Sequence, residues 1–143
     1  MDDRRKLDYA LGMGLIYADI TLKNPRYPEL HPMVVKALVD TGAITLCIPE
    51  SVALQLKLEE AERREVTIAD GSKRSVPYVG PMQVLFDNRS SFCGAMVMGD
   101  TVLLGAIAME DMDLVISPRR QQIEVNPEHP NIPSALAMGV RKF

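Results

Sequence analysis

Cysteine and histidine are scarce in this chain, with two of each among 143 residues. Cys47 and Cys93 stand far apart, and neither His31 nor His129 lies near them at a zinc-like spacing, so no metal site is expected. Two isolated thiols make no disulfide framework, and both read as small buried apolar residues. The histidines lie in proline-rich segments with no motif around any Ser or Cys, which argues against Ser–His–Asp or Cys–His catalysis. A basic run interleaved with aromatics is also missing. Lys and Arg number 16 against 19 Asp and Glu, for a net charge of −3, so nucleic acid is not an expected partner. Long hydrophobic runs are absent: the apolar stretch from Leu11 to Ala18 is short, is bracketed by Asp8 and Asp19, and reads as a strand rather than a signal peptide or membrane span. Nothing addresses the chain elsewhere, and the expectation is a cytoplasmic protein without membrane attachment. A phosphate-cradling loop is lacking too, because Gly12-Met13-Gly14 lies in a strand-like run and precedes no helix. No cofactor is expected.

What is present suffices for a core. The apolar fraction of 47% can bury one without disulfide or metal, and the length fits a single domain over residues 1–143, with a core over about 11–127 and a tail over 128–143. A first strand spans Leu11 to Leu22 and stops at Asn24-Pro25. Met33 to Val39 forms a second, mostly apolar strand running directly into Asp40. Thr45 to Ile48 is a short strand stopped by Pro49, and a helix follows through Val52, Leu54, Leu56 and Leu58. Two alternating runs flank Asp70-Gly71, a strong hairpin signal, and Pro77 marks part of the second arm as lacking a ladder partner. Met82 to Phe86 and Phe92 to Met98 read as two more strands around a turn at residues 87–91. Thr101 to Gly105 leads into a short helix over Ala106 to Met112, and Leu114–Ile116 and Gln122–Val125 close the pattern. Met96, Met98, Met109 and Met112 read as core filling, and Arg63-Arg64 and Arg119-Arg120 as solvated charges. Beyond Asn126-Pro127 the chain reads as a surface tail with at most a short helix near Ala135 to Met138. Many short strands and two modest helices predict an all-β protein, a small closed or sandwiched β architecture.

One carboxylate stands out. In Val39-Asp40-Thr41-Gly42-Ala43 an acid sits at the exit of an apolar strand, before a small polar residue and a glycine. Alone, the tripeptide reads as a turn acid. Its companions change that reading: the hairpin at Asp70-Gly71, then Leu103-Leu104-Gly105 entering a short helix, then a final strand pair. This order resembles the retroviral-type (retropepsin-like) single-domain aspartic proteases and their bacterial relatives, over roughly residues 15–127. The resemblance implies a small closed β-barrel with one or two short helices, and a homodimeric endopeptidase in which Asp40 from each subunit shares one water, Thr41 reaches across the dimer axis, and Gly42 brings a backbone N–H close to the carboxylates. It further implies that Ala43 and the flap residues Ala69, Asp70, Gly71 and Ser72 contact an extended peptide or protein substrate. Three departures are visible: Ala43 where the family often has Ser, a polar flap with Lys73 and Arg74 beside it, and extra residues at both ends. A non-catalytic dimerisation or peptide-binding module on the same fold is the alternative, and a thiol enzyme using Cys47 or Cys93 is a third.

Overall fold

A computed structural model describes residues 15–139. Nine strands and two short helices follow in the order β1 (Tyr17–Lys23), β2 (Met33–Val39), β3 (Leu46–Ile48), α1 (Glu50–Gln55), β4 (Glu59–Thr67), β5 (Lys73–Phe86), β6 (Arg89–Val97), β7 (Val102–Leu104), α2 (Ala106–Asp111), β8 (Leu114–Ser117) and β9 (Gln122–Val125). The protein is mostly β, as the turn-punctuated pattern predicts. Six strands close into a barrel in the order β1-β2-β7-β3-β6-β5, the ring being completed by β5 pairing back to β1. β4 pairs only with β5, outside the ring, and β8 and β9 form a separate antiparallel ribbon.

Alternation explains which side chains enter the barrel. Along β1, Ala18, Ile20 and Leu22 are buried while their neighbours face outward. Ala37, Leu46, Ile48, Met82, Val84, Ala95 and Leu104 join them, and α1 and α2 cover the core with Val52, Leu56, Ala108, Met109 and Met112. Each fully buried Val, Leu, Ile or Met contributes roughly 1.5–3 kcal/mol. Met109 and Met112 are core residues as expected, whereas Met96 and Met98 are only half-buried.

Several boundaries differ from the sequence reading. The first strand is described from Tyr17; its expected beginning at Leu11 and the Gly12-Met13-Gly14 run lie outside the described residues. The predicted strands on either side of Gly80-Pro81 are one, β5, which absorbs the proline at a register shift against β6 between Val79 and Met82. Helix α1 ends at Gln55 rather than reaching Leu58. The N–H of Lys57 bonds to Leu54 O (3.1 Å) and that of Leu58 to Ala53 O (3.0 Å), with Lys57 at φ +52°, a left-handed cap made without glycine. Asn24, buried beside it, donates to Leu56 O (2.8 Å). Ser51 does not cap α1, whose N-cap is Pro49. The expected turn over residues 87–91 shrinks to Asp87-Asn88, so Arg89 and Ser91 belong to β6. No helix forms over Ala135–Met138, which are exposed and irregular, with Met138 in a turn. Among the described residues no helix is long and apolar enough to cross a membrane.

Candidate active site

The Asp40 loop is built by strands distant in sequence. β2 delivers Asp40 to the loop, and β3 carries the chain away again. Between these two strands lies β7, parallel to β2 (Val39↔Leu104) and antiparallel to β3 (Cys47↔Leu103). The wedge holds both sides of the loop. Asp40 N–H donates to Leu104 O (3.0 Å), and the first two N–H groups of α2 donate to loop carbonyls, Ala106 to Ala43 O (2.8 Å) and Ile107 to Ile44 O (3.1 Å). N–H groups that a helix start cannot satisfy internally thus fix the loop.

Gly105 makes that approach possible. A Cβ there would lie 2.7 Å from Ala43 O and 2.9 Å from both Ile44 O and Thr45 O, all backbone atoms. Within the loop, Ala43 N–H donates to Asp40 O (3.1 Å) and Gly42 N–H to Asp40 Oδ1 (3.0 Å). The carboxylate is therefore oriented by its own turn. Asp40 is half-buried, Thr41 and Gly42 are exposed, and Ala43 is half-buried. Of the residues singled out from sequence, Asp40 bonds to Leu104 and Ala43 lies against Gly105 and Ala106, while Thr41 and Gly42 stand exposed at the turn between them.

The hairpin residues Ala69, Asp70, Gly71 and Ser72 form a separate, exposed tip. Gly71 has φ +85°, Gly71 N–H donates to Ile68 O (2.9 Å), and Ser72 N–H donates to Asp70 Oδ1 (2.8 Å). Hydrogen bonds from Ser72 hold the Asp70 carboxyl below its usual range. β6 pairing with β5 reaches only to Tyr78↔Met96, so Lys73–Pro77 pair with β4 alone, and Pro77 sits in this one-sided ribbon. The ribbon's base is tied to the start of β3 through the row Val79, Ala95, Leu46. It carries charge on both arms: Arg63 pairs with Glu60, Arg64 with Glu62 and Lys73 with Glu65, and Arg64 also lies 3.7 Å over the Tyr78 ring.

Thiol chemistry fits poorly. Burial pushes the Cys47 thiol up, with the charge of Asp40 adding to it, and burial with Asp111 raises Cys93 to about 11. Both favour the unreactive thiol over the thiolate. Among the described residues no cluster of three His, Cys, Asp or Glu side chains offers a metal site. Grooves of about 620 Å³ beside β9 and about 420 Å³ at the Gly80-Pro81 bend are not lined by residues 40–44.

Sequence reasoning missed two exposed apolar side chains at the site's edge, Ile44 (69% exposed) and Ile107 (51%), joined by the backbone bond from α2 to the loop. Their signal was an isoleucine in the loop and another on an outward helix position. No protein-family model matches the chain, and no curated protein does.

Proposed function

We propose that this chain is one half of an aspartic endopeptidase, active as a homodimer of the retropepsin type. The observation that carries the reading is the Asp40 loop. A strand-end carboxylate is oriented by the Gly42 N–H, and the backbone of the loop that carries it is held by Leu104 O and the first N–H groups of α2. Such a clamp is the kind of preorganisation hydrolysis needs.

Peptide hydrolysis without a metal or covalent nucleophile takes a base to activate water and an acid to protonate the departing amine. Asp40 and Asp40 of the partner subunit supply both when they share one proton, as in the aspartic proteases generally, because two like charges a few ångströms apart resist ionising together. The ionised member takes a proton from water as the oxygen attacks the scissile carbonyl, and the protonated member donates to the carbonyl oxygen. Collapse of the diol with proton transfer to nitrogen breaks the C–N bond. The titration belongs to the pair. Substrate lies along the site as an added strand, and the β4–β5 hairpin closes over it.

Asp40→Asn tests the proposal with a fluorogenic peptide library assayed from pH 3 to 7 and sedimentation to follow dimerisation. Cleavage by the wild type that vanishes in Asp40→Asn, with the dimer retained, supports it. A wild type that dimerises and binds peptides yet cleaves none across the library overturns it in favour of a non-catalytic module.

A further inference from the structure

A second constellation lies far along the chain from Asp40. Arg89 opens β6 and is only 2% exposed, and Ser91, two residues on and on the same strand face, is also 2% exposed. Arg89 Nη2 donates to His129 O, whereas Arg89 Nε, Arg89 Nη1 and Ser91 Oγ are buried without a hydrogen-bond partner. None of the ion pairs among the described residues involves Arg89. A guanidinium does not shed its charge, so a buried one without a counter-charge is strongly unfavourable.

The cover over Arg89 is the segment after β9, over residues 126–134. Asn88 Nδ2, beside Arg89, donates to Pro130 O (2.9 Å). From the other side Asp113 accepts from Asn126 Nδ2 (3.1 Å) and Ser134 N–H (2.9 Å) and pairs with His129 Nδ1 (2.7 Å). The expected surface tail is thus a strap, and a carbonyl from that strap is the acceptor Arg89 does have.

We propose that Arg89 and Ser91 form a binding site for a small free oxyanion of the phosphate class, closed by the 126–134 strap. Water could satisfy the idle donors but would leave the charge uncompensated. A tetrahedral oxyanion offers several acceptor oxygens and the missing negative charge together. It enters when the strap lifts, and once bound it holds the strap down. This site is independent of the Asp40 reading.

The test titrates inorganic phosphate into the full chain at constant ionic strength and follows thermal unfolding. The expected result is a saturable rise in midpoint, roughly 5–10 °C at a hundredfold excess over Kd. Amide exchange over residues 129–134 slows in step. Arg89→Met, which keeps the aliphatic bulk, shows no saturable rise; it matches or exceeds the wild type without phosphate and falls below it at saturation. Ser91→Ala moves the phosphate dependence to several-fold higher concentration and serves as the deciding variant if Arg89→Met does not fold. A non-saturating rise of equal size in wild type and variant is general salt exclusion and overturns the proposal. So does the absence of any rise, or an unchanged phosphate dependence in Ser91→Ala.

Discussion

Replacing Gly105 by Ala probes the packing that makes the Asp40 loop a site. The backbone there has φ −89°, which any residue adopts, so conformational strain is not the issue. Space is. The new Cβ would stand 2.7 Å from Ala43 O and 2.9 Å from Ile44 O and Thr45 O, and none of these is a side chain able to swing away. Relief requires the loop and the start of α2 to separate by several tenths of an ångström. Overpacking of this kind costs about 1–3 kcal/mol. Weakening the bonds from Ala106 and Ile107 to the loop adds about 0.5–1.5 kcal/mol for each bond lost. With one of the two bonds lost, a total of roughly 2–4 kcal/mol leaves a domain of ordinary stability folded. At about 3–4 °C per kcal/mol for a chain of this size, thermal unfolding should fall by roughly 6–15 °C. The loop amides should exchange faster, and on the proposed peptidase reading cleavage should fall by more than stability accounts for, because the carboxylate rides on the displaced loop. Gly71→Ala provides the contrast: its Cβ meets nothing within 4 Å, but φ +85° costs it about 1 kcal/mol. An unfolding midpoint for Gly105→Ala within a degree or two of wild type, with loop exchange unchanged, would refute the packing argument.

Three further outcomes are expected. Ala43→Ser adds a hydroxyl able to donate to the carboxylate, which favours the ionised form, so the acidic limb of the pH–activity profile should move to lower pH; an unmoved limb counts against the dyad geometry. Asp113 is held at about 2, chiefly by the Ser134 N–H and the Asn126 side chain, with the His129 ring contributing. A lowered carboxyl stabilises the fold above its unfolded value and loses that contribution as pH falls through its folded one, so wild type should lose stability between about pH 4 and 2 in a step that Asp113→Asn lacks in acid titrations followed by circular dichroism. Ile107→Lys places a charge on an exposed apolar position beside the loop. If a partner buries that side chain, losing about 1.5–3 kcal/mol should raise the dimer Kd by about 10- to 100-fold in sedimentation experiments, with the monomer's spectrum intact.

Much of the strand pattern was legible locally. β2 runs from Met33 to Val39 as read, and β9 and the Asp70-Gly71 turn fall where alternation and turn residues placed them. The errors have physical causes. Gly80-Pro81 looks like a terminus, yet a register shift lets one strand carry it. Lys57 caps α1 in a left-handed conformation usually given to glycine, so apolar periodicity overran the helix end. Arg89 and Ser91 have turn-like composition, but the two-residue hairpin at Asp87-Asn88 starts β6 earlier and turns both side chains inward.

The linear pattern decided the class of fold and put one acid at the end of one strand, because alternation and turn chemistry act over a few neighbouring residues. Tertiary pairing decided what surrounds that acid. Leu104 and α2 lie more than sixty residues beyond Asp40, and the strap over Arg89 comes forty residues after it. Contacts of that span arise only when the barrel closes, since closure sets which backbone groups and charges meet and which are buried.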